Sequence, residues 1–159
     1  MGYSIYWTPK KLTEEQVPDQ FWKDCEKVLD KIISKGIILA TPDGTEVLDS
    51  GHKIINYWEP EPEENRAPGL GFNGFLDRGC ESFCLVFDGE WSYCKTAREP
   101  YDLAVKCILM LAEKYDLLEY EAGNHLGGDG DKCAWTFDGD EKDPEYIEAN
   151  NLMIEMELI

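Results

Sequence analysis

Hydrophobic side chains recur along this chain with the periods of both strands and helices. Residues 3–7 combine aromatic and β-branched side chains in the way typical of a strand. Residues 13–16 have the spacing of a helix-capping box, and Pro18 fits the first turn of a helix. Apolar side chains then recur every three to four residues up to Ile33, and Gly36 fits a C-terminal cap. The pattern predicts a strand followed by a long amphipathic helix.

Short apolar runs separated by turn residues fill the middle of the chain. They predict a hairpin of residues 37–40 and 46–48, a strand at 52–58, and a second hairpin of residues 82–87 and 91–95. Further on, Pro100 begins a second helix whose buried side includes Cys107 and Leu111. The remaining elements are short strands at 117–121 and 134–137 and a short helix at 144–155.

Strand clusters interrupted by two principal helices, without regular βαβ alternation, predict the α+β class. We expect a mainly antiparallel sheet with the two principal helices packed on one face. The length of 159 residues suits a single domain over residues 1–159, with an acidic loop at about 59–68. No apolar run approaches the ~20 residues that cross a bilayer, and the first residues lack a signal-peptide pattern. We therefore expect a soluble, cytoplasmic protein that does not enter a membrane.

Negative charge is concentrated beyond residue 58. The net charge is −18, and residues 59–159 carry 24 of the 33 acidic side chains but only eight of the 15 basic ones. Such a surface repels phosphate backbones and disfavours direct nucleic-acid binding. It attracts basic protein surfaces, although a solvated face that only keeps the protein in solution has the same composition. Charge limits the classes of partner without naming one.

The six cysteines predict free thiols rather than disulfides or a metal site. The chain lacks a secretory signal, and Cys80 and Cys84 are not matched by a second closely spaced pair, which a structural zinc site needs. His52 and His125 are distant in sequence. Asp129 and Asp131 begin like a calcium-binding loop, but the later positions of that pattern are not met. We expect no metal and no cofactor.

Residues 94–102 contain the most distinctive local chemistry. Lys95, Thr96 and Arg98 precede the second predicted helix, whose N-terminus favours an anion, so they are candidate anion ligands. Cys94 is a candidate reactive thiol, because a helix N-terminus lowers the pKa of a nearby cysteine. The alternative is that Lys95 and Arg98 pair with neighbouring acids while Thr96 or Asp102 helps to cap the helix. No residue is assigned a catalytic role.

Aromatic side chains offer a second type of candidate site. Tryptophan and tyrosine are favoured anchors of protein interfaces, although rings packed at the rim of a core have the same composition. The candidates are Tyr57, Trp58, Trp91, Trp135 and Tyr146.

The tract from Tyr93 to Asp102 resembles the Phe-Cys-Lys-Thr-Ala-Arg-Lys-Pro-Tyr-Asp signature of a group of small uncharacterised proteins encoded by phages, prophages and bacteria. Glu99 stands where that signature has Lys, which removes a positive charge from the candidate anion site. Weaker similarities to the same group are the Tyr-Ser-Ile-Tyr-Trp start, residues 72–74 and 80–83, and Asp129-Gly130-Asp131 followed by Trp135. The resemblance implies a phage or mobile-element setting and no mechanism.

These observations lead to two functional hypotheses. The first is a non-enzymatic binding or regulatory protein, phage-associated, whose acidic surface meets a basic protein partner. The alternative is a small-anion or nucleotide-binding domain, catalytic or not, centred on residues 94–102. The oligomeric state is left open.

Overall fold

The computed structural model describes residues 3–57, 67–120, 134–140 and 142–159, and within them the chain has the predicted α+β class. The buried apolar side chains form one contiguous core. Both sheets are small and antiparallel, and the strands divide between them rather than forming one sheet. The strands are β1 (Ser4–Trp7), β2 (Leu39–Ala40), β3 (Gly69–Gly74), β4 (Phe83–Val86), β5 (Ser92–Lys95) and β6 (Trp135–Phe137). The helices are α1 (Asp19–Ser34), α2 (Gly51–Tyr57), α3 (Asp102–Lys114) and α4 (Pro144–Glu155).

The first sheet has the strand order β5-β1-β6, and its two faces differ in burial. Strand β1 alternates, so Ile5 and Trp7 are buried while Tyr6 is partly exposed. Antiparallel pairing places Tyr93 beside Tyr6 and Cys94 beside Ile5. Because side chains alternate along a strand, Cys94 lies on the buried face and Tyr93 on the outer face.

The second sheet has the order β2-β3-β4 and corrects one sequence prediction. Residues 82–87 and 91–95 do contain strands, but β4 pairs with β3 and β5 pairs with β1, so they do not form a hairpin. The turn between them contacts the segment after β1, with Leu12 N donating to Phe87 O at 3.1 Å. These contacts direct β5 away from β4. The hairpin at 37–48 does form, with Leu48 N donating to Leu39 O at 2.9 Å.

Helix α3 is the central helix of the core. Every residue from Asp102 to Ala112 is buried, whereas the sequence predicted one buried side. A helix that is apolar nearly all round is stable only when other elements surround it, and α1 and α4 both pack against α3. Helix α1 begins at Asp19, one residue after Pro18, and ends before Gly36, which has a φ of 93°.

The strand predicted at residues 52–58 is wrong, because residues 51–57 form α2. The adjacent β-branched residues Ile54 and Ile55 favoured a strand, but Gly51 and Ile54 are the buried positions, three residues apart as in a helix. Gly51 lies so close to α1 that a Cβ there would be 2.3 Å from Glu26 O. Close packing of α2 on α1 therefore overrides the local preference.

The last helix, α4, has the bounds that the sequence predicted, and β6 lies within the predicted strand at 134–137. Of the predicted strand at 117–121, only an isolated bridge between Leu118 and Pro9 is present among the described residues. The acidic loop at 59–68 falls largely, and residues 127–131 entirely, outside the described residues. In the parts of the chain that the structure describes, no helix is both long and apolar enough to cross a membrane.

Candidate functional site

The segment that joins β5 to α3 contains a strained turn. Glu99 N donates to Thr96 O at 3.0 Å, and the two residues between them, Ala97 and Arg98, have φ values of 51° and 59°. A turn with positive φ at both central positions usually contains Asn or Gly, and each left-handed non-glycine residue costs about 1–2 kcal/mol. Hydrogen bonds from Thr96 N and Ala97 N to Tyr3 O, at 3.0 and 3.2 Å, attach the turn to the chain just before β1.

A buried polar network lies beneath this turn. Thr96 Oγ1 donates to Asp102 Oδ1 at 2.5 Å, and the other carboxylate oxygen of Asp102 forms an ion pair with Lys106 one helical turn further on. Lys106 Nζ lies 4.6 Å from the centre of the Tyr3 ring and 5.1 Å from that of Phe137. Burial lowers the pKa of Lys106, and the Asp102 carboxylate opposes that shift. Thr96, proposed as an anion ligand, is therefore buried and its hydroxyl already bound.

Arg98 is occupied by carboxylates of the chain itself. Its Nη1 donates to Glu145 Oε2 at 2.7 Å, and its Nη2 lies 3.8 Å from Asp143 Oδ2. The guanidinium carbon lies 4.1 Å from the centre of the Tyr3 ring. The hydrogen bond to Glu145 raises the pKa of Arg98. Arg98 thus pairs with acids of the chain, as the alternative expected, but these acids are distant in sequence and not its neighbours.

Cys94 does not have the environment of an activated thiol. It is buried on the inner face of β5, with Sγ 3.4 Å from Glu81 O and 3.9 Å from Tyr101 Oη. Burial raises its pKa to about 12. The expectation that the helix N-terminus lowers this pKa is wrong, because strand alternation directs the thiol into the core.

Lys95 lies on the outer face of the first sheet, away from Thr96 and Arg98. Its backbone pairs with Glu81, since Lys95 N donates to Glu81 Oε1 at 2.7 Å and Lys95 O accepts from Glu81 N at 3.0 Å. Its side chain is exposed, and among the described residues no carboxylate lies within ion-pair distance of Nζ. The three proposed anion ligands do not face a common cleft.

The outer face of the same sheet carries a group of aromatic rings, Tyr6, Trp91 and Tyr93, which we call the aromatic face. The ring centres of Tyr6 and Trp91 are 6.1 Å apart with planes 17° from parallel, and those of Trp91 and Tyr93 are 5.4 Å apart. Trp91 is 55% exposed and Tyr93 52% exposed. Tyr6 Oη donates at 3.1 Å to Oδ1 of Asp138, the residue that follows β6.

The sequence identified only part of the aromatic face. Trp91 is exposed as an interface anchor requires, whereas Trp135 is 1% exposed and Tyr146 is partly buried against the core. Tyr57 is exposed on α2, and Trp58 lies outside the described residues. Tyr6 and Tyr93 were missed as site residues. The alternation around Tyr93 indicates which side it occupies, but its pairing with Tyr6 depends on a strand register that sequence does not give.

Three of the segments on which the resemblance rests, residues 72–74, 80–83 and 93–102, lie close together in the fold. Asn73 Nδ2 donates to Cys80 O and Asn73 Oδ1 accepts from Cys80 N, both at 3.1 Å. Glu81, the next residue, pairs with Lys95 and accepts a 2.6 Å hydrogen bond from Tyr101 Oη through its carbonyl oxygen. These contacts fix the outer edge of β5, so they support the position of the aromatic face.

Within the described residues, no group of three or more His, Cys, Asp or Glu side chains is arranged to bind a metal. His125, Asp129, Asp131 and Cys133 lie outside those residues. The chain matches no family model, and no curated protein or solved structure shows significant similarity to it. The fold and the candidate site together define an acidic α+β protein with an exposed aromatic sheet face.

Proposed function

We propose that this protein is a non-enzymatic binding or regulatory protein, in a phage or mobile-element setting, that uses its aromatic face to bind a basic protein partner. The observation that carries the proposal is the contact between the exposed rings of Trp91 and Tyr93 on the outer face of a sheet. Exposed large aromatic side chains in contact with one another are typical of interface anchors. In a protein with a net charge of −18, the chemistry of the partner follows from the charge.

Cationic side chains suit this face in two ways. Arginine and lysine stack on the faces of tryptophan and tyrosine rings, which contributes about 0.5–1 kcal/mol at exposed sites. The rings also have acidic neighbours, since the exposed Glu90 precedes Trp91 and the carboxylate of Asp138 contacts Tyr6. Complementary charge raises association rates and excludes acidic partners. The face therefore favours a segment rich in arginine or lysine.

A fluorescently labelled peptide of about ten alternating arginine and glycine residues tests the proposal by fluorescence anisotropy. We expect saturable binding that weakens as salt increases, and a loss of at least about fivefold in affinity in W91A/Y93A. Y57A is the matched control, because it removes an exposed tyrosine from α2. E90K should weaken binding more than E15K, which makes the same change in net charge at an exposed glutamate of the 3₁₀ turn Glu14–Gln16, outside the aromatic face. The proposal would be overturned if W91A/Y93A and Y57A lost affinity equally, if E90K and E15K lost affinity equally, or if binding of the peptide were not saturable.

Lys95 supports a second candidate function, the binding of a planar anion such as a nucleotide. Lys95 and Tyr93 are two residues apart on the outer face of β5, so a base stacked on the aromatic face could place its phosphates near the ammonium group. Aromatic rings with an adjacent cation are the usual elements of such sites. Thr96 and Arg98 take no part in this candidate.

One substitution separates the two functions. Lys95→Glu removes the cation and adds an acid, so it should strengthen binding of the arginine peptide and abolish binding of adenosine triphosphate measured by thermal shift. The matched variant Lys31→Glu makes the same charge change on α1. It should alter neither the affinity for the peptide nor the thermal shift with adenosine triphosphate by more than about twofold. If adenosine triphosphate stabilises the wild type and the peptide does not bind, the second function is correct.

A further inference from the structure

A groove with opposite charges on its two edges lies between α4 and the end of α1. Its cavity volume is about 510 Å³. Leu103 of α3 and Leu152 of α4 form its apolar floor, and both are almost fully buried. The α4 residues that line the groove are Pro144, Ile147, Glu148, Asn151, Leu152 and Glu155.

These positions on α4 follow helical spacing, so one complete face of that helix lines the groove. The face extends over about 16 Å at 1.5 Å per residue. Its apolar members are Pro144, Ile147 and Leu152, which span about 12 Å of the helix, and Ile147 is 44% exposed. A partly apolar helix face next to a second helix has the form in which grooves bind amphipathic helices.

Charge determines which amphipathic helix fits. Glu148 and Glu155 are seven residues apart, which places them about 10 Å apart along one edge of the groove. Lys35 at the end of α1 lies on the other edge. Among the described residues neither glutamate has an ion-pair partner, and neither does Lys35. Helix α4 has no lysine or arginine at all.

The geometry points to this groove as a binding site for an amphipathic helix of another protein, with apolar side chains at i, i+3, i+4 and i+7 and basic side chains about seven residues apart beside them. The apolar stripe would cover Pro144 and Ile147, and the basic side chains would pair with Glu148 and Glu155. A second copy of this chain fits poorly, because its α4 would bring acids to the acidic edge and each copy carries a charge of −18. The groove and the aromatic face are separate surfaces, so this inference does not rest on the proposed function.

A synthetic helical peptide of about 15 residues tests the assignment, with leucines at i, i+3, i+4 and i+7, lysines seven residues apart beside that stripe, and glutamines elsewhere. The control peptide has glutamates in place of the lysines. Fluorescence anisotropy should show saturable binding of the lysine peptide and at least about tenfold weaker binding of the control.

Two matched pairs of variants localise the binding. E148K/E155K should weaken it at least about tenfold, whereas E14K/E15K, with the same charge change in a distant 3₁₀ turn, should change it less than about twofold. I147N should weaken binding, while I154N, at an exposed isoleucine of α4 that does not line the groove, should not. K35E should strengthen it, because it removes the cation from the opposite edge. W91A/Y93A should leave it unchanged, which separates this site from the aromatic face.

Three results would overturn the assignment. They are the absence of saturable binding, equal effects of the groove variants and their controls, and a dimer in sedimentation velocity that I147N dissociates, which would assign the groove to a second copy of the chain.

Discussion

Replacement of Lys106 by methionine should destabilise the fold by about 3–5 kcal/mol. Lys106 and Asp102 are both almost completely inaccessible to solvent. Without the ammonium group, the Asp102 carboxylate would be buried with the Thr96 hydroxyl as its only remaining side-chain donor among the described residues. An uncompensated buried charge of this kind accounts for the cost. Since single domains are stable by about 5–15 kcal/mol, this one change would remove a large fraction of the total.

The double variant D102N/K106M should be more stable than K106M alone. Asparagine keeps an acceptor for the Thr96 hydroxyl and carries no charge, and methionine keeps apolar contact with the rings of Tyr3 and Phe137. D102N alone should cost less than K106M, because burial already lowers the pKa of Lys106 and the amine can lose its proton. Between that lowered pKa and the ordinary value near 10.4, the unfolded chain binds more protons than the folded one. The stability of D102N should therefore rise with pH through that window.

Urea unfolding followed by tryptophan fluorescence measures these differences as changes in midpoint at constant slope. The control is K114M, an exposed lysine in the last turn of the same helix, which should change stability by no more than about 0.5 kcal/mol. If K106M lies within about 1 kcal/mol of the wild type, or if the double variant is as unstable as the sum of the single variants, the ion pair does not have the role described.

Three further predictions concern single residues. Ala97→Gly should stabilise the protein by about 0.5–1 kcal/mol in urea unfolding, because relief of the left-handed backbone exceeds the added entropy of the unfolded chain; a loss of stability would show that the turn is not strained. Iodoacetamide at pH 8 should label the exposed Cys80 and leave Cys94 unmodified in the folded protein, as read by peptide mass spectrometry, because burial raises the pKa of Cys94 to about 12; rapid labelling of Cys94 would contradict this. Burial raises the pKa of Glu113. At pH values above the ordinary glutamate pKa the folded chain therefore keeps a proton that the unfolded chain has lost. The stability that this proton contributes is lost as pH rises through the raised pKa. The advantage of E113Q over the wild type should therefore grow as pH rises from the ordinary glutamate pKa of about 4.3 through the raised pKa, and an advantage that does not change would refute the shift.

The elements that sequence predicted well are those decided by local periodicity. The apolar repeat of α1, with Gly36 after its end, and the bounds of α4 after Asp143 depend on neighbouring residues alone. Helix α2 failed because its identity depends on the approach of Gly51 to Glu26 in another helix. The β4–β5 hairpin failed because β5 pairs with β1, far earlier in the chain, while β4 pairs with the preceding strand β3. Tertiary contacts decide such short elements.

The three candidate anion ligands are separated for the same reason, at the level of side chains. Lys95, Thr96 and Arg98 are close in sequence, but strand alternation and a turn direct them to an outer face, the core and α4. The carboxylate that binds Arg98 belongs to Glu145, 47 residues further along the chain. No local pattern indicates such a pair. The sequence did predict that acids could pair with Arg98, but it expected neighbouring acids and not those of α4 and the residue before it.

Some acids beyond residue 58 are used inside the fold, and this limits what net charge can do in recognition. Asp102 is paired in the core, Glu145 is bound to Arg98, and Glu113 accepts a 3.1 Å hydrogen bond from Trp135. These ion pairs leave the net charge of −18 unchanged, because Lys106 and Arg98 are already counted in it. They do withdraw Asp102 and Glu145 from direct pairing with a partner, so these acids act on it only through the net charge at long range. Long-range attraction of this kind is screened within about 8 Å at physiological salt. Discrimination among basic partners must then come from short-range contacts, which the rings of Trp91 and Tyr93 provide and which salt weakens least.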